Sequence, residues 1–225
     1  MKKQLVTLLL FMSTFSAFGQ FKYYKTENGE FIFSFARYQI NNESINTPMR
    51  FSGFFHYGEQ LHIDFNNYVG VFSGWGIRNV GFTSSNGDTM YKRRNYYVGI
   101  PVAIKLGDMK NKNFIYAGAE VELAVNYKEK LFVKGDKIGS AKFNSWFSER
   151  TPLLMPSVFG GFQMKSGYNL GFRYYLKDFL NPNFSEKGIK PYQNTTQSNV
   201  FYISLSYQFK SGRKAKNKTS IPSSI

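Results

Sequence analysis

Residues 199–209 alternate strictly, with Phe201, Ile203, Leu205, Tyr207 and Phe209 on one face and Tyr202, Ser204, Ser206 and Gln208 on the other. A period of two marks a β-strand whose two sides meet unlike environments. The less apolar face is small and neutral, without one Lys or Glu. A strand whose second face met bulk water would carry charge there. Lipid outside and a narrow polar lumen inside fit this pattern, as in a transmembrane β-barrel.

Seven more strands are expected, near 30–40, 51–65, 68–82, 91–106, 114–128, 153–165 and 168–177, and no long helical periodicity competes with them. Their connections alternate in length. Asn66-Asn67, 107–113 and Ser166-Gly167 are short; 41–50, 83–90, 129–152 and 178–198 are longer and always follow odd-numbered strands. In an up-and-down barrel all short turns then lie at one end and all long loops at the other, as in outer-membrane barrels with periplasmic turns and extracellular loops. The expected fold is therefore all-β, an eight-stranded antiparallel up-and-down transmembrane β-barrel. A soluble eight-stranded barrel also alternates, with its apolar face inward. Its outward face would be broadly hydrophilic, whereas the less apolar face here is rich in Gly, Ala and Ser.

The N-terminus points to export. Met1-Lys2-Lys3 is basic, 5–18 is apolar, and Ala17-Phe18-Gly19 precedes Gln20 as a small-x-small cleavage site. A membrane anchor is the alternative, but the apolar run is short of the roughly 20 residues a helical span needs. The expected organisation is a signal peptide over 1–19, an N-terminal segment over 20–29, the barrel over 30–209 and a basic tail over 210–225. With no cysteine, disulfides, a lipoprotein anchor and thiolate metal sites are excluded. Aromatic content is 19%, suited to the girdles of a barrel. The formal charge of +15 would ordinarily suggest nucleic acid; export and the lack of a recognition motif argue against it. The anionic partner within reach of an exported barrel is lipopolysaccharide phosphate, beside the plainer reading that the charge solvates loops and tail.

Three residues fit less well. Glu59 falls on the apolar parity of the second strand, which a bulge at 58–60 would relieve. Pro101 and Pro156 each remove a ladder donor and are expected to mark bulges.

The segment Tyr97-Val98-Gly99-Ile100-Pro101-Val102-Ala103-Ile104-Lys105 resembles a strand of small outer-membrane β-barrel proteins of Bacteroidota, including the PorT-like group. Gly70 to Phe82, Gly171-Phe172-Arg173-Tyr174-Tyr175 and Val200 to Phe209 are similar to other strands of the same family. The resemblance implies an outer-membrane location, insertion by the Bam machinery through the aromatic-ended closing strand, and no catalytic residues. Some PorT-like proteins assist type IX secretion. Such barrels often stop at the aromatic, whereas Lys210 to Ile225 follow it here.

Asp64, Arg78, Lys105, Glu120, Glu122 and Arg173 share the inferred lumen face. A polar path for a solute is one reading; a plug of salt bridges filling a narrow barrel is the preferred one. His56 and His62, the only histidines, are expected to be structural, with no serine placed beside either for a lipid A-modifying hydrolase. No cofactor, metal or enzymatic activity is expected. Lys92, Arg93 and Arg94, with the lysines of 128–142, are expected near the outer rim as lipopolysaccharide contacts. The tail, with Lys210, Arg213, Lys214, Lys216 and Lys218, is expected in the periplasm, solvated or against an envelope protein partner.

Overall fold

The computed structural model describes residues 21–210. Eleven strands form one antiparallel sheet: β1 Lys22–Ile40, β2 Glu43–Ser44, β3 Arg50–Ser52, β4 Tyr57–Asp64, β5 Val69–Asn86, β6 Thr89–Asp108, β7 Asn113–Val133, β8 Asp136–Trp146, β9 Leu154–Gln163, β10 Tyr168–Tyr175 and β11 Thr195–Lys210. β11 pairs with β1 from Thr26–Lys210 to Ile40–Thr195, so the sheet closes on itself. The ring has eight staves, with β3 and β4 together making the second. β2 folds back on β1, and β8 on β7, outside the ring.

Alternation puts the apolar parity on the outside. On β6, Val98, Ile100, Val102, Ile104 and Leu106 are exposed, while Gly99, Pro101, Ala103 and Lys105 are buried. On β11, Ile203, Leu205, Tyr207 and Phe209 stand exposed and Tyr202, Ser204 and Ser206 are buried. A closed barrel with an aliphatic exterior and charged interior is a transmembrane barrel, because only lipid stabilises that arrangement.

The staves begin and end differently from the sequence expectation. The segment over 20–29 is not separate from the barrel: Lys22 to Gly29 pairs with β4, and Thr26 onward also pairs with β11. The expected loop 83–90 is strand, for β5 and β6 run on to a turn at Gly87-Asp88. The expected loop 129–152 holds the end of β7 and all of β8. The short turns at the opposite end stay short; Gly167, at φ +94°, takes the left-handed conformation that the β9–β10 turn requires. The expected signal peptide over 1–19 and the expected tail beyond Lys210 lie outside the described residues.

Neither proline marks a bulge. Pro101 lies opposite Glu120 and Pro156 opposite Val121, each in step with its neighbours along β7; the one shift in the β6–β7 pairing falls at Tyr96/Tyr97, away from Pro101. Pro101 makes its mark on the other side, where the β5–β6 pairing passes from Ser73–Val102 to Gly76–Gly99 with no residue gained. Its carbonyl accepts a hydrogen bond from Ser73 Oγ at 2.8 Å. Nor is there a bulge at 58–60, where Gly58, Glu59 and Gln60 face Asn28, Glu27 and Thr26 in step. Glu59 stays outward, and Lys25 Nζ meets its carboxylate at 2.8 Å. The real break in this stave is at 53–56, between β3 and β4, where Phe55 takes φ +64°.

Candidate lumen plug and outer rim

The interior is filled in three storeys. Nearest the short turns, Lys105 is fully buried and its ammonium donates to Asp64 Oδ1 at 2.5 Å. The same nitrogen lies 3.3 Å from both Tyr24 OH and His62 Nδ1. Because an ammonium only donates, His62 Nδ1 accepts, and its Nε2–H is left to donate to Thr26 Oγ1 at 2.9 Å. Tyr24 stacks on His62 with centroids 4.6 Å apart. His62 thus has both nitrogens committed to packing, as expected of a structural histidine.

At mid-height, strands on opposite sides of the ring send charges to a common centre. Arg78 Nη1 from β5 meets Glu120 Oε1 at 2.6 Å and Glu122 Oε1 at 2.9 Å, and its Nε meets Glu30 Oε2 at 3.3 Å. Arg173 Nη2 from β10 meets the second oxygen of Glu120 at 2.6 Å, and its Nη1 donates to Ser157 Oγ at 2.8 Å. Glu120 therefore bridges two guanidiniums. Gly99 makes room for it: a Cβ there would lie 2.1 Å from Glu120 Oε1 and 2.6 Å from Glu122 Cγ. The free space beside this network, bordered by Asn28, Gln60, Arg78, Asn169 and Arg173, is about 40 Å³, about enough for one or two waters. The six predicted lumen residues thus form two ion clusters, Lys105–Asp64 and Arg78–Glu120–Glu122–Arg173. Sequence reasoning missed Glu30, which shares their parity but lay at the edge of the expected first strand.

Toward the long loops the interior turns apolar. Ile32, Tyr38, Val80, Phe82, Tyr97, Tyr127, Met155, Tyr175, Val200 and Tyr202 form one buried cluster. The segment over 176–194 folds inward and adds Phe179, Leu180 and Tyr192 to it. Above it, Glu129 receives hydrogen bonds from Arg93 Nε at 2.7 Å, Tyr127 OH at 2.9 Å and Tyr192 OH at 3.2 Å. Arg150 donates to Tyr192 OH at 3.1 Å and to Glu186 at 2.5 Å. Its guanidinium lies 3.7 Å from the Phe143 ring centroid. Burial works against the Arg150 charge, but Tyr192, Glu186 and Glu129 outweigh it and raise its pKa.

Arg93 is consequently not a lipopolysaccharide contact. It is 5% exposed and points inward to Glu129, because the alternation of β6 continues through it. Lys92 and Arg94, its neighbours, do face outward.

The expectation that no serine adjoins a histidine also fails. Ser52 Oγ lies 2.8 Å from His56 Nε2. Four residues along a regular strand span about 13 Å, so only the break at 53–56 brings them together. The Asn79 backbone N–H donates to His56 Nδ1 at 3.5 Å, which leaves the hydrogen on Nε2, facing the serine. A general base needs the lone pair there, and a nucleophile triad needs a group orienting Nδ1 as donor.

No family model matches this chain, and no curated protein sequence matches it. Among solved structures, it is similar to Ail, the attachment invasion locus protein of Yersinia pestis, in a complex with the heparin analogue sucrose octasulfate (10% identity, TM-score 0.37, covering 82% of this chain and 99% of that one). It is also similar to Neisserial surface protein A (11%, 0.38, 85% and 99%). A third is outer membrane protein AlkL, determined in DMPC bilayers (13%, 0.36, 86% and 93%). At these values the likeness adds nothing to what the closed ring itself shows.

Proposed function

We propose that this chain is an integral outer-membrane β-barrel of a Gram-negative envelope, inserted by the Bam machinery, that acts through its long-loop end and conducts no solute. One observation carries the reading: the interior is occupied from end to end, by ion pairs below and an aromatic core above, leaving about 40 Å³ at the ionic level. The tyrosine-bearing interior and the inward-folded 176–194 segment support a structural or interaction role in which the rim and loops meet lipid and an envelope protein partner. The Ser52–His56 pair, with its tautomer turned the wrong way, does not favour lipid A hydrolysis.

The test is conductance. Purified protein in planar bilayers is expected to give no steady current, and Glu120→Ala none either. Open-channel currents from the unaltered protein would overturn the reading. A second reading follows from the resemblance of Tyr97–Lys105 to PorT-like barrels, an accessory role in type IX secretion. Tyr97 and Lys105 both serve as buried lumen anchors, so that strand keeps its family-like residues for packing. Normal export of secreted proteins in a strain lacking the gene would remove this second reading.

A further inference from the structure

The outer face of β6 and β7 changes character at Tyr96. On the short-turn side of it stand the exposed aliphatic residues from Val98 to Leu106. On the other side Arg94 and Lys92 face outward, and the register sets Arg94 opposite Lys128 and Lys92 opposite Lys130. Like charges directly opposite on neighbouring strands repel, and here two successive rows do so. Lys142 of β8 flanks them on one side and Arg50 of β3 on the other. Together they line two adjoining hollows of about 420 and about 150 Å³ that share Arg94, Lys128 and Lys130.

None of these six cations takes part in an ion pair among the described residues. The carboxylate nearest in sequence, Glu129, is turned inward to Arg93. Arg50 spends its donors on Asn79, at 2.9 Å from Nη2 to Oδ1. Burial, and then the neighbouring Arg94, Lys137, Lys142 and Lys128, hold the Lys130 ammonium below its usual range. The Tyr96 ring fixes two of the charges at one height, with the Arg94 guanidinium 5.6 Å and the Lys128 ammonium 5.0 Å from its centroid. A soluble polyanion would need only the charge. This groove also runs into exposed apolar surface at Phe51 and Met49 and down the aliphatic strip of β6, so its chemistry matches an anion with acyl chains.

We propose that the groove binds the phosphorylated headgroup of a membrane glycolipid of the lipid A type. Its phosphates lie between the Arg94–Lys128 and Lys92–Lys130 rows, and its acyl chains lie along Val98 and Ile100. The proposal rests on the outer-membrane reading above and gives that rim its lipid partner.

The test uses the full chain, folded in detergent, titrated with bisphosphorylated lipid A and read by native mass spectrometry. Heat-modifiable gel mobility serves as the folding control. Retained lipid A is expected, weaker retention of monophosphoryl lipid A, and none of a phosphate-free glycolipid. Arg94→Gln/Lys128→Gln is expected to weaken retention at least tenfold and, by relieving repulsion, to melt no lower than the unaltered protein without lipid. Should that variant fail the mobility control, Lys92→Gln and the phosphate dependence of the unaltered protein decide instead. Equal retention by a folded variant, or of the phosphate-free lipid, would overturn the proposal. So would displacement by millimolar inorganic phosphate, or tight heparin binding with no lipid A retained; these would assign the site to free phosphate or to a soluble polysaccharide. Fractionation keeps the two readings apart. Recovery outside the outer membrane sinks the location and, with it, the lipid A partner, whereas outer-membrane recovery without lipid A binding sinks the groove alone.

Discussion

The two halves of the barrel are built inside out relative to one another. Between the short turns and Tyr96, aliphatic residues face outward and Lys105, Asp64, Arg78, Glu120, Glu122 and Arg173 face inward. Beyond Tyr96, Lys92, Arg94, Lys128 and Lys130 face outward, and Tyr38, Phe82, Tyr127 and Phe179 face inward. The same eight-stave wall serves both halves; what changes is the solvent around it. Lipid gives no reason to hide apolar groups, so the interior of the lower half is free to be polar, provided every charge finds a partner. Water does give that reason, so the upper half packs an apolar core like a soluble domain.

The contrast predicts different sensitivities. The largest effect is expected for Glu120→Ala, which deprives both Arg78 and Arg173 of a buried partner and should cost about 4 kcal/mol, read as a lower urea midpoint in detergent. Phe179→Ala should cost about 3 kcal/mol by opening a cavity in the upper core. That loss should release the 176–194 segment to proteolysis while leaving the lower ring intact. Loss of the whole barrel in Phe179→Ala would mean that the two halves are not separable.

Much of this was legible in the sequence. Strict alternation on β6, β7, β10 and β11 located staves, their lipid face and four of the six lumen charges, with Asp64 and Arg78 following from the same parity on β4 and β5, because a period of two survives wherever both neighbours are regular. The first half of β1 was not legible, since Lys25 and Glu27 stand on its outward parity and hide the alternation. Arg93 was misplaced because Lys92-Arg93-Arg94 reads as a charge cluster, when carrying the β6 alternation upward separates its middle member from the other two. In β7 no such extrapolation works: a register shift opposite Tyr96/Tyr97 reverses the parity, sending Tyr127 inward. The Ser52–His56 contact and the seating of Phe179 and Leu180 depend on a chain break and a folded-in segment, which local pattern does not encode.

The smallest effect is expected at the short-turn end. The Asn111 side chain and backbone N–H both donate to Asp108, at 2.6 and 3.0 Å, and hold its carboxyl below the usual range. A depressed folded pKa stabilises the turn above the unfolded value and is lost as pH falls through the folded one. Asp108→Asn should therefore change the melting midpoint little at pH 7 and flatten its decline below about pH 4.

The inversion itself can be measured directly, because the chain has no cysteine of its own and single nitroxide labels can be placed at will. Labels at Ile100 and Val102, in protein reconstituted into lipid bilayers, should be relaxed more by oxygen than by a water-soluble nickel complex. Labels at Lys92 and Lys130 should show the reverse. Nickel-dominated relaxation at Ile100 and Val102 would contradict the membrane-spanning account.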